Sequence, residues 1–254
     1  MLFDTHAHLN DEEFNEGLDD IIKELKEKHF DGVVNIGYDY ESSLKAVELS
    51  KKEDFLYASV GLHPHDSKDY NKILENEFIK LVKENEKVVA YGEIGLDYYY
   101  DNSPRDIQKE VFIRQLKVAS ELNKPVIIHS RDAAGDTYDI LKAHLNGTGI
   151  IHSCSASAEM VREYVKLGMY TSFSGSVTFK NANNVREAAK ATPLDKLLIE
   201  TDCPYLTPVP FRGKRNKPPY VEYTARMLAE VKGISYEEII EITNKNAREI
   251  FKIK

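Results

Sequence analysis

Short apolar runs rich in β-branched residues alternate along this chain with amphipathic stretches whose apolar positions lie three and four residues apart. The apolar runs have the length and composition of strands buried on both faces of a parallel sheet. The amphipathic stretches have the periodicity of helices that cover such a sheet. We expect eight strands, at residues 3–8, 33–36, 56–60, 88–94, 126–129, 149–152, 169–173 and 197–201.

The number of strand–helix units indicates the fold class. About eight units follow one another without a linker, and 254 residues are about what one α/β barrel requires. We therefore expect a single-domain α/β protein, a (β/α)8 TIM-type barrel spanning residues 1–254. Two helices, Val221–Lys232 and Tyr236–Phe251, should close the chain, with Gly233 as a helix stop and Ser235 as a helix start.

Composition and missing motifs argue against several classes of protein. Neither a G-x-G-x-x-G nor a Walker A segment occurs, which argues against NAD- and ATP-dependent enzymes. Two cysteines, Cys154 and Cys203, are too few for a disulfide framework and fit a reducing compartment. We see no signal peptide, no apolar run of the roughly 20 residues that a membrane span needs, and no obligate protein partner. We therefore expect a cytoplasmic protein. Its net charge of −8 still permits a local basic patch.

Six potential metal ligands stand where the predicted strands end. They are His6, His8, Glu93, His129, His152 and Asp202. Because the active site of a (β/α)8 barrel lies at the C-terminal ends of its strands, we expect these side chains to meet across one mouth. Imidazoles and carboxylates in that number can bind one or two divalent cations with open coordination positions. The pattern indicates a metallohydrolase.

The alternation of side chains along a strand suggests how two ions would share these ligands. His6 and His8 point to the same side and can chelate one ion together. Glu93 can bridge two ions with its two oxygens, which leaves His129 and His152 for the second. Asp202 can complete the ligand set of the first ion. It can also take a proton from a water molecule whose pKa the metal lowers towards about 7. We predict Asp202 and Glu93 as catalytic residues, and Zn, Mn, Ni, Fe or water-ligated Mg as the two ions.

Five segments around these residues resemble the signature segments of TatD-type deoxyribonucleases, which are metal-dependent hydrolases of the amidohydrolase-like superfamily. They are residues 4–9 (DTHAHL), 61–65 (GLHPH), 92–98 (GEIGLDY), 129–133 (HSRDA) and 200–205 (ETDCPY). The resemblance extends from Met1 to the C-terminal helices and includes the loop 212–216 (RGKRN). It implies hydrolysis of phosphodiester bonds in DNA, or of a related ester. It also implies one metal on His6, His8, Glu93 and Asp202, and another on Glu93, His129 and His152.

Residues near the strand ends bear on the substrate. We predict five side chains as substrate contacts: His63, His65, Arg131, Arg212 and Arg215. The alternatives are a turn held by the two histidines, an ion pair of Arg131 with Asp132 or Asp136, and a solvated face for the basic loop 212–217. The rings of Tyr98, Tyr99 and Tyr100 either stack on bases or pack a loop.

These patterns favour a metal-dependent deoxyribonuclease that acts on DNA, with single strands or frayed ends as the substrate. One alternative is a hydrolase of another ester or amide, such as a D-aminoacyl ester on tRNA or a small phosphoester. Another is a metal-loaded binding protein without turnover. Asp202 beside the ligands argues against the last alternative, because a structural site needs no base. The basic loop favours a phosphate substrate.

Overall fold

The structure, a computed structural model, describes residues Met1 to Lys254 and contains one sheet of eight parallel strands in the order β1 to β8. The strands are β1 Phe3–Ala7, β2 Gly32–Ile36, β3 Leu56–Val60, β4 Val88–Asp97, β5 Val126–Arg131, β6 Gly149–Ile151, β7 Tyr170–Phe173 and β8 Leu197–Ile199. The helices are α1 Leu18–Glu27, α2 Tyr40–Ser50, α3 Lys72–Glu84, α4 Arg105–Glu121, α5 Ala134–His144, α6 Ala158–Lys166, α7 Asn183–Ala191, α8 Val221–Lys232 and α9 Tyr236–Phe251. Strand, helix and sheet order confirm the predicted (β/α)8 barrel.

The barrel closes between β1 and the segment that follows β8. The amide of Asp202 donates to the carbonyl of His6 at 2.8 Å, and the amide of His8 donates to the carbonyl of Cys203 at 2.9 Å. These bonds flank a parallel bridge between Ala7 and Cys203. The closure therefore places two predicted ligands from the start of the chain beside one that lies almost 200 residues later.

Apolar side chains fill the barrel interior, and α9 covers one of its ends. One cluster of 12 buried residues consists of Phe3, Val34, Ile36, Val89, Ala90, Ile127, Ile150, Tyr170, Leu198, Ala247, Ile250 and Phe251. The rings of Phe3 and Phe251 are stacked, with their centres 6.0 Å apart. Since Phe3 begins β1 and Phe251 ends α9, this helix covers the N-terminal ends of the strands. The C-terminal ends remain open.

Some element bounds differ from those predicted. Strand β4 continues to Asp97 instead of residue 94, and β5 continues to Arg131 instead of residue 129, because the two strands go on pairing beyond their apolar parts. Strand β8 ends at Ile199, earlier than predicted. The two C-terminal helices have the predicted bounds, with Gly233 in the left-handed conformation at φ +67 and Ser235 capping α9. None of the helices combines the length and apolar character that crossing a bilayer requires.

Candidate metal centre

Four donor atoms gather where β1 and β8 end. The Nε2 atoms of His6 and His8 lie 3.1 Å apart, and Asp202 Oδ1 lies 3.5 and 3.4 Å from them. Glu93 Oε2 lies 3.5 Å from His6 Nε2. Ligand atoms about 2.1 Å from a tetrahedral ion are about 3.4 Å from one another. The donor spacing of this first group therefore fits one divalent cation.

The other carboxylate oxygen of Glu93 faces a second group of donors. Glu93 Oε1 lies 2.9 Å from His129 Nδ1 and 2.8 Å from His152 Nε2, and these two nitrogens are 3.3 Å apart. His63 Nε2 lies 3.7 Å from the same oxygen. Three overlapping sets of three donors, each within 4.8 Å, can be chosen from these residues. Because each oxygen of Glu93 faces a different group, this side chain has the placement of a bridging ligand.

The electrostatics of the cluster favour a cation at its centre. Burial raises the pKa of Glu93, but the charge of His152 and the hydrogen bonds of His129 outweigh it and hold that pKa well below its usual range. Burial lowers the pKa of His152, yet Glu93 and Glu200 outweigh it and raise that pKa well above its usual range. The carboxylates thus stabilise positive charge among the imidazoles. A bound divalent ion would supply that positive charge.

Two carboxylates behind the imidazoles were not predicted from the sequence. Asp97 Oδ2 accepts a hydrogen bond from His129 Nε2 at 3.0 Å. Glu200 Oε1 lies 3.3 Å from His152 Nδ1 and accepts a bond from the Ser153 amide at 2.8 Å. Histidines that bind metals commonly donate their other ring N–H to a carboxylate. The sequence signal that could have identified them is an acidic residue inside each of the motifs 92–98 and 200–205.

A glycine brings β4 close enough to β5 for this arrangement. Gly95 pairs with His129 in the sheet register and has a φ of +142, which disfavours a side chain. A Cβ at Gly95 would collide with the carbonyl oxygen of His129. The close approach aligns Glu93 and Asp97 on either side of the His129 ring.

A cavity of about 750 Å³ opens above the donor atoms. Its lining includes three of the predicted substrate contacts, His63, His65 and Arg131, and three tyrosines, Tyr38, Tyr100 and Tyr205. The guanidinium of Arg131 stacks on the rings of Tyr99 and Tyr100, 4.0 and 4.9 Å from their centres. It does not form the alternative ion pairs, and Asp136 pairs with Lys109 instead. The positive charge of Arg131 therefore remains available to the cavity.

The two histidines after β3 have different surroundings. His63 faces the second donor group, and burial together with the nearby His129 lowers the pKa of His63 well below its usual range. The neutral His63 ring therefore lies at about the distance from Glu93 that separates two ligands of one ion. His65 Nε2 donates to Asp97 Oδ2 at 3.1 Å, so that nitrogen is already engaged. The amide of His65 also donates to His63 Nδ1 at 3.3 Å, which holds the turn together.

Arg212 and Arg215 do not line the cavity. The guanidinium of Arg212 lies 3.9 Å from the centre of the Phe179 ring. Arg215 donates to the carbonyl of Glu13 and lies 4.9 Å from the centre of the Phe14 ring. Contact of these two arginines with a substrate stays a prediction, and it would require a substrate that extends beyond the cavity.

Comparison with known proteins adds a family. The family model of TatD-related DNases matches residues 3–252. The chain belongs to the TatD family. It is 49% identical over 256 residues to YabD of Bacillus subtilis, an uncharacterized metal-dependent hydrolase, with all of both chains covered. It is 37% identical to another such hydrolase, YcfH of Escherichia coli K12, covering 100% of this chain and 96% of that one.

A solved structure in the TatD family has the same architecture. The TatD homologue YJJV of Escherichia coli K12 superimposes with a TM-score of 0.93 at 26% identity, and the match covers 100% of this chain and 98% of that one. This TatD-family chain is thus a metal-dependent hydrolase built on a TIM barrel. Its donor cluster consists of imidazole nitrogens and carboxylate oxygens, which suit divalent cations from Mg to Zn.

Proposed function

We propose that this TatD-family barrel hydrolyses phosphodiester bonds of DNA, in single strands or at frayed ends. One observation carries the proposal. Two donor groups share Glu93 at the floor of a cavity, and an arginine stacked on tyrosines stands at its rim. The floor suits metal-assisted hydrolysis, and the rim suits a substrate that combines phosphate with aromatic bases.

We further propose that the cofactor is a pair of divalent cations. The residues that would hold them are His6, His8, Asp202 and Glu93 for one, and Glu93, His129 and His152 for the other. Bound there, the cations would supply Lewis acidity and lower the pKa of a water molecule towards about 7. Glu93 would belong to both sets of ligands.

In this proposal Asp202 accepts the proton of the attacking water. Its side chain is 14% exposed and lines the cavity. Burial raises the pKa of Asp202, but the hydrogen bond of His8 and the charge of His6 outweigh it and hold the pKa below its usual value. The carboxylate is therefore ionised near neutral pH and can act as a general base. As the water oxygen bonds to phosphorus, the P–O bond of the phosphodiester breaks, and the proton that Asp202 has accepted can pass to the departing oxygen.

The rim of the cavity supports the proposed preference for unpaired strands. Arg131 is the only lysine or arginine that lines the cavity, and its planar guanidinium can bind a phosphate in bidentate fashion. Tyr99, Tyr100 and Tyr205 are 59%, 54% and 53% exposed. Exposed rings can stack on bases, at about 1–3 kcal/mol for each base. Bases within a double helix are already stacked on one another, so a single strand or a frayed end gains these contacts more readily.

A second candidate is hydrolysis of another ester or amide. Besides Glu93 and Asp202, the cavity lining has one guanidinium, that of Arg131, and one further carboxylate, that of Asp66. A small phosphoester would also suit that lining, and so would the aminoacyl end of a D-aminoacyl-tRNA whose remaining nucleotides lie outside the cavity. A binding protein without turnover is less favoured, because Asp202 lines the cavity. A ligand in a purely structural metal site would not need access to the cavity.

The test is a substrate panel with the full chain reconstituted with Mn²⁺ or Zn²⁺. We expect single-stranded DNA to be cleaved faster than duplex DNA, RNA or a D-aminoacyl ester of tRNA. Arg131→Leu should raise KM for DNA. Its matched control is Arg105→Leu, because Arg105 stacks on Tyr98 and pairs with Asp101 outside the cavity lining. If the aminoacyl ester is hydrolysed and DNA is not cleaved, the second candidate replaces this proposal.

A further inference from the structure

The carboxylate of Asp97 receives four hydrogen bonds at the end of β4. Oδ2 accepts from His129 Nε2 at 3.0 Å and from His65 Nε2 at 3.1 Å. Oδ1 accepts from the amides of Tyr99 and Tyr100 at 3.0 and 2.8 Å. The side chain is 1% exposed. One buried acid thus joins a predicted metal ligand, a histidine that lines the cavity and the loop that carries Tyr99 and Tyr100.

The bonds to Asp97 require a proton on one nitrogen of each ring. Since the carboxylate accepts from both imidazoles, His129 and His65 each carry a proton on Nε2. For His129 this leaves Nδ1, which lies 2.9 Å from Glu93 Oε1, as the nitrogen that faces the donor cluster. For His65 it holds the ring edge-on to Tyr100, with the ring centres 5.3 Å apart.

We propose that Asp97 is a positioning residue that sets the second cation site and the rim of the cavity together. It orients the His129 ring so that Nδ1 meets the cation, and it holds His65 and the Tyr99–Tyr100 loop in place. Partners of this kind change metal affinity by about 10–100-fold. The inference rests on the second cation of the proposed function, but it concerns cation affinity and holds whatever the substrate is.

The backbone around Asp97 is held independently of its carboxylate. The amide of Asp97 donates to Gln108 Oε1 at 2.8 Å, and Gln108 Nε2 donates to the carbonyl of Asp97 at 3.1 Å. A change of the Asp97 side chain therefore leaves the path of β4 supported. The same contact offers a control, because Gln108 supports the backbone of this segment without touching an imidazole.

Zn²⁺ titration of the metal-free full chain by calorimetry tests the proposal. In Asp97→Asn the side-chain oxygen can still accept the hydrogen bonds from the backbone amides of Tyr99 and Tyr100. The NH₂ group then faces the N–H groups of the two imidazoles and cannot accept from them. We expect about a 10–100-fold loss of Zn²⁺ affinity at one site, with the other within a factor of about three. Asp136→Asn, which removes an aspartate that pairs with Lys109, should change neither site. Unchanged Zn²⁺ affinity in Asp97→Asn would overturn the proposal.

Two further measurements separate positioning from loop stability. Gln108→Met should destabilise the fold but leave Zn²⁺ affinity nearly unchanged, and a loss equal to that of Asp97→Asn would assign the effect to packing of the loop. Long-range ¹H–¹⁵N spectra of the Zn²⁺-loaded wild type need no variant. They should show His129 and His65 each protonated on Nε2. A proton on Nδ1 of His129 would refute the proposal even if Asp97→Asn failed to fold.

Discussion

Replacing Glu93 should weaken both cation sites at once. Its Oε2 lies 3.5 Å from His6 Nε2, and its Oε1 lies 2.9 Å from His129 Nδ1 and 2.8 Å from His152 Nε2. Glu93→Ala therefore removes one of four donors from the first group and one of three from the second. The second group would keep only two imidazoles and no anionic ligand.

The expected magnitude follows from this loss of a direct ligand. A residue that only orients a ligand contributes about 10–100-fold to metal affinity, and a direct carboxylate ligand contributes at least as much. Each site should then lose at least about 1.4–2.7 kcal/mol of binding free energy. Because one side chain serves both sites, the product of the two affinities should fall by at least about 10²–10⁴.

Metal analysis and Zn²⁺ calorimetry on the full chain would measure these losses. Glu93→Gln serves beside Glu93→Ala because it keeps the side-chain volume and tests the charge alone. His129→Ala should empty chiefly the second site. Its matched control is His144→Ala, an exposed histidine at the end of α5 that is not part of the donor cluster. If Glu93→Ala loses only one cation per chain, Glu93 does not bridge, and the division into two groups is wrong.

Three other outcomes are expected. Asp202→Asn should keep the fold in a thermal melt and lose about 10²–10⁴-fold in kcat, because an amide cannot accept the proton; near-wild-type turnover would exclude this role. Replacing Arg212 and Arg215 by alanine should raise KM for long single strands and flatten the salt dependence by about 0.7 for each lost contact, with a small chromogenic phosphodiester unaffected. Hydrogen bonding to Arg114 holds the pKa of the buried Glu75 at about 2, down from 4.5. Ionised Glu75 therefore adds about 2–3 kcal/mol to the free energy of unfolding above pH 4.5, and this contribution is lost as the pH falls towards 2. Urea unfolding of Glu75→Gln should lack that pH dependence.

The fold could be predicted from the sequence because apolar runs and helical periodicity record burial directly. Leu56–Val60, Val221–Lys232 and Tyr236–Phe251 have the predicted bounds. Strands β4 and β5 were predicted too short for a physical reason. Their last residues include Glu93, Asp97 and His129, so the apolar pattern stops while the backbone pairing continues. These two strands supply functional side chains and end later than their hydrophobicity indicates, whereas β8 ends earlier.

The meeting of the six donors was predictable because barrel topology brings all strand ends to one mouth. The contacts behind them were not, since they depend on register and on side-chain rotation. Asp97 reaches His129 only because Gly95 lets β4 approach β5 closely. Glu200 lies two residues before Asp202, and nothing in that spacing identifies His152 as the imidazole it faces.

The basic loop after β8 shows how nearness in sequence to a strand end can mislead. Its cations are attracted first to acceptors of their own chain: Lys217 pairs with Glu24, and Arg215 donates to the carbonyl of Glu13. A partly exposed ion pair such as Lys217–Glu24 contributes only about 0–1 kcal/mol, and the bond of Arg215 to a backbone carbonyl is not an ion pair. Exchanging such an ion pair for a strand phosphate would therefore cost little. The loop should affect binding of long substrates through their charge. Arg131 should instead affect binding of every phosphate substrate, because it is the only lysine or arginine that lines the cavity.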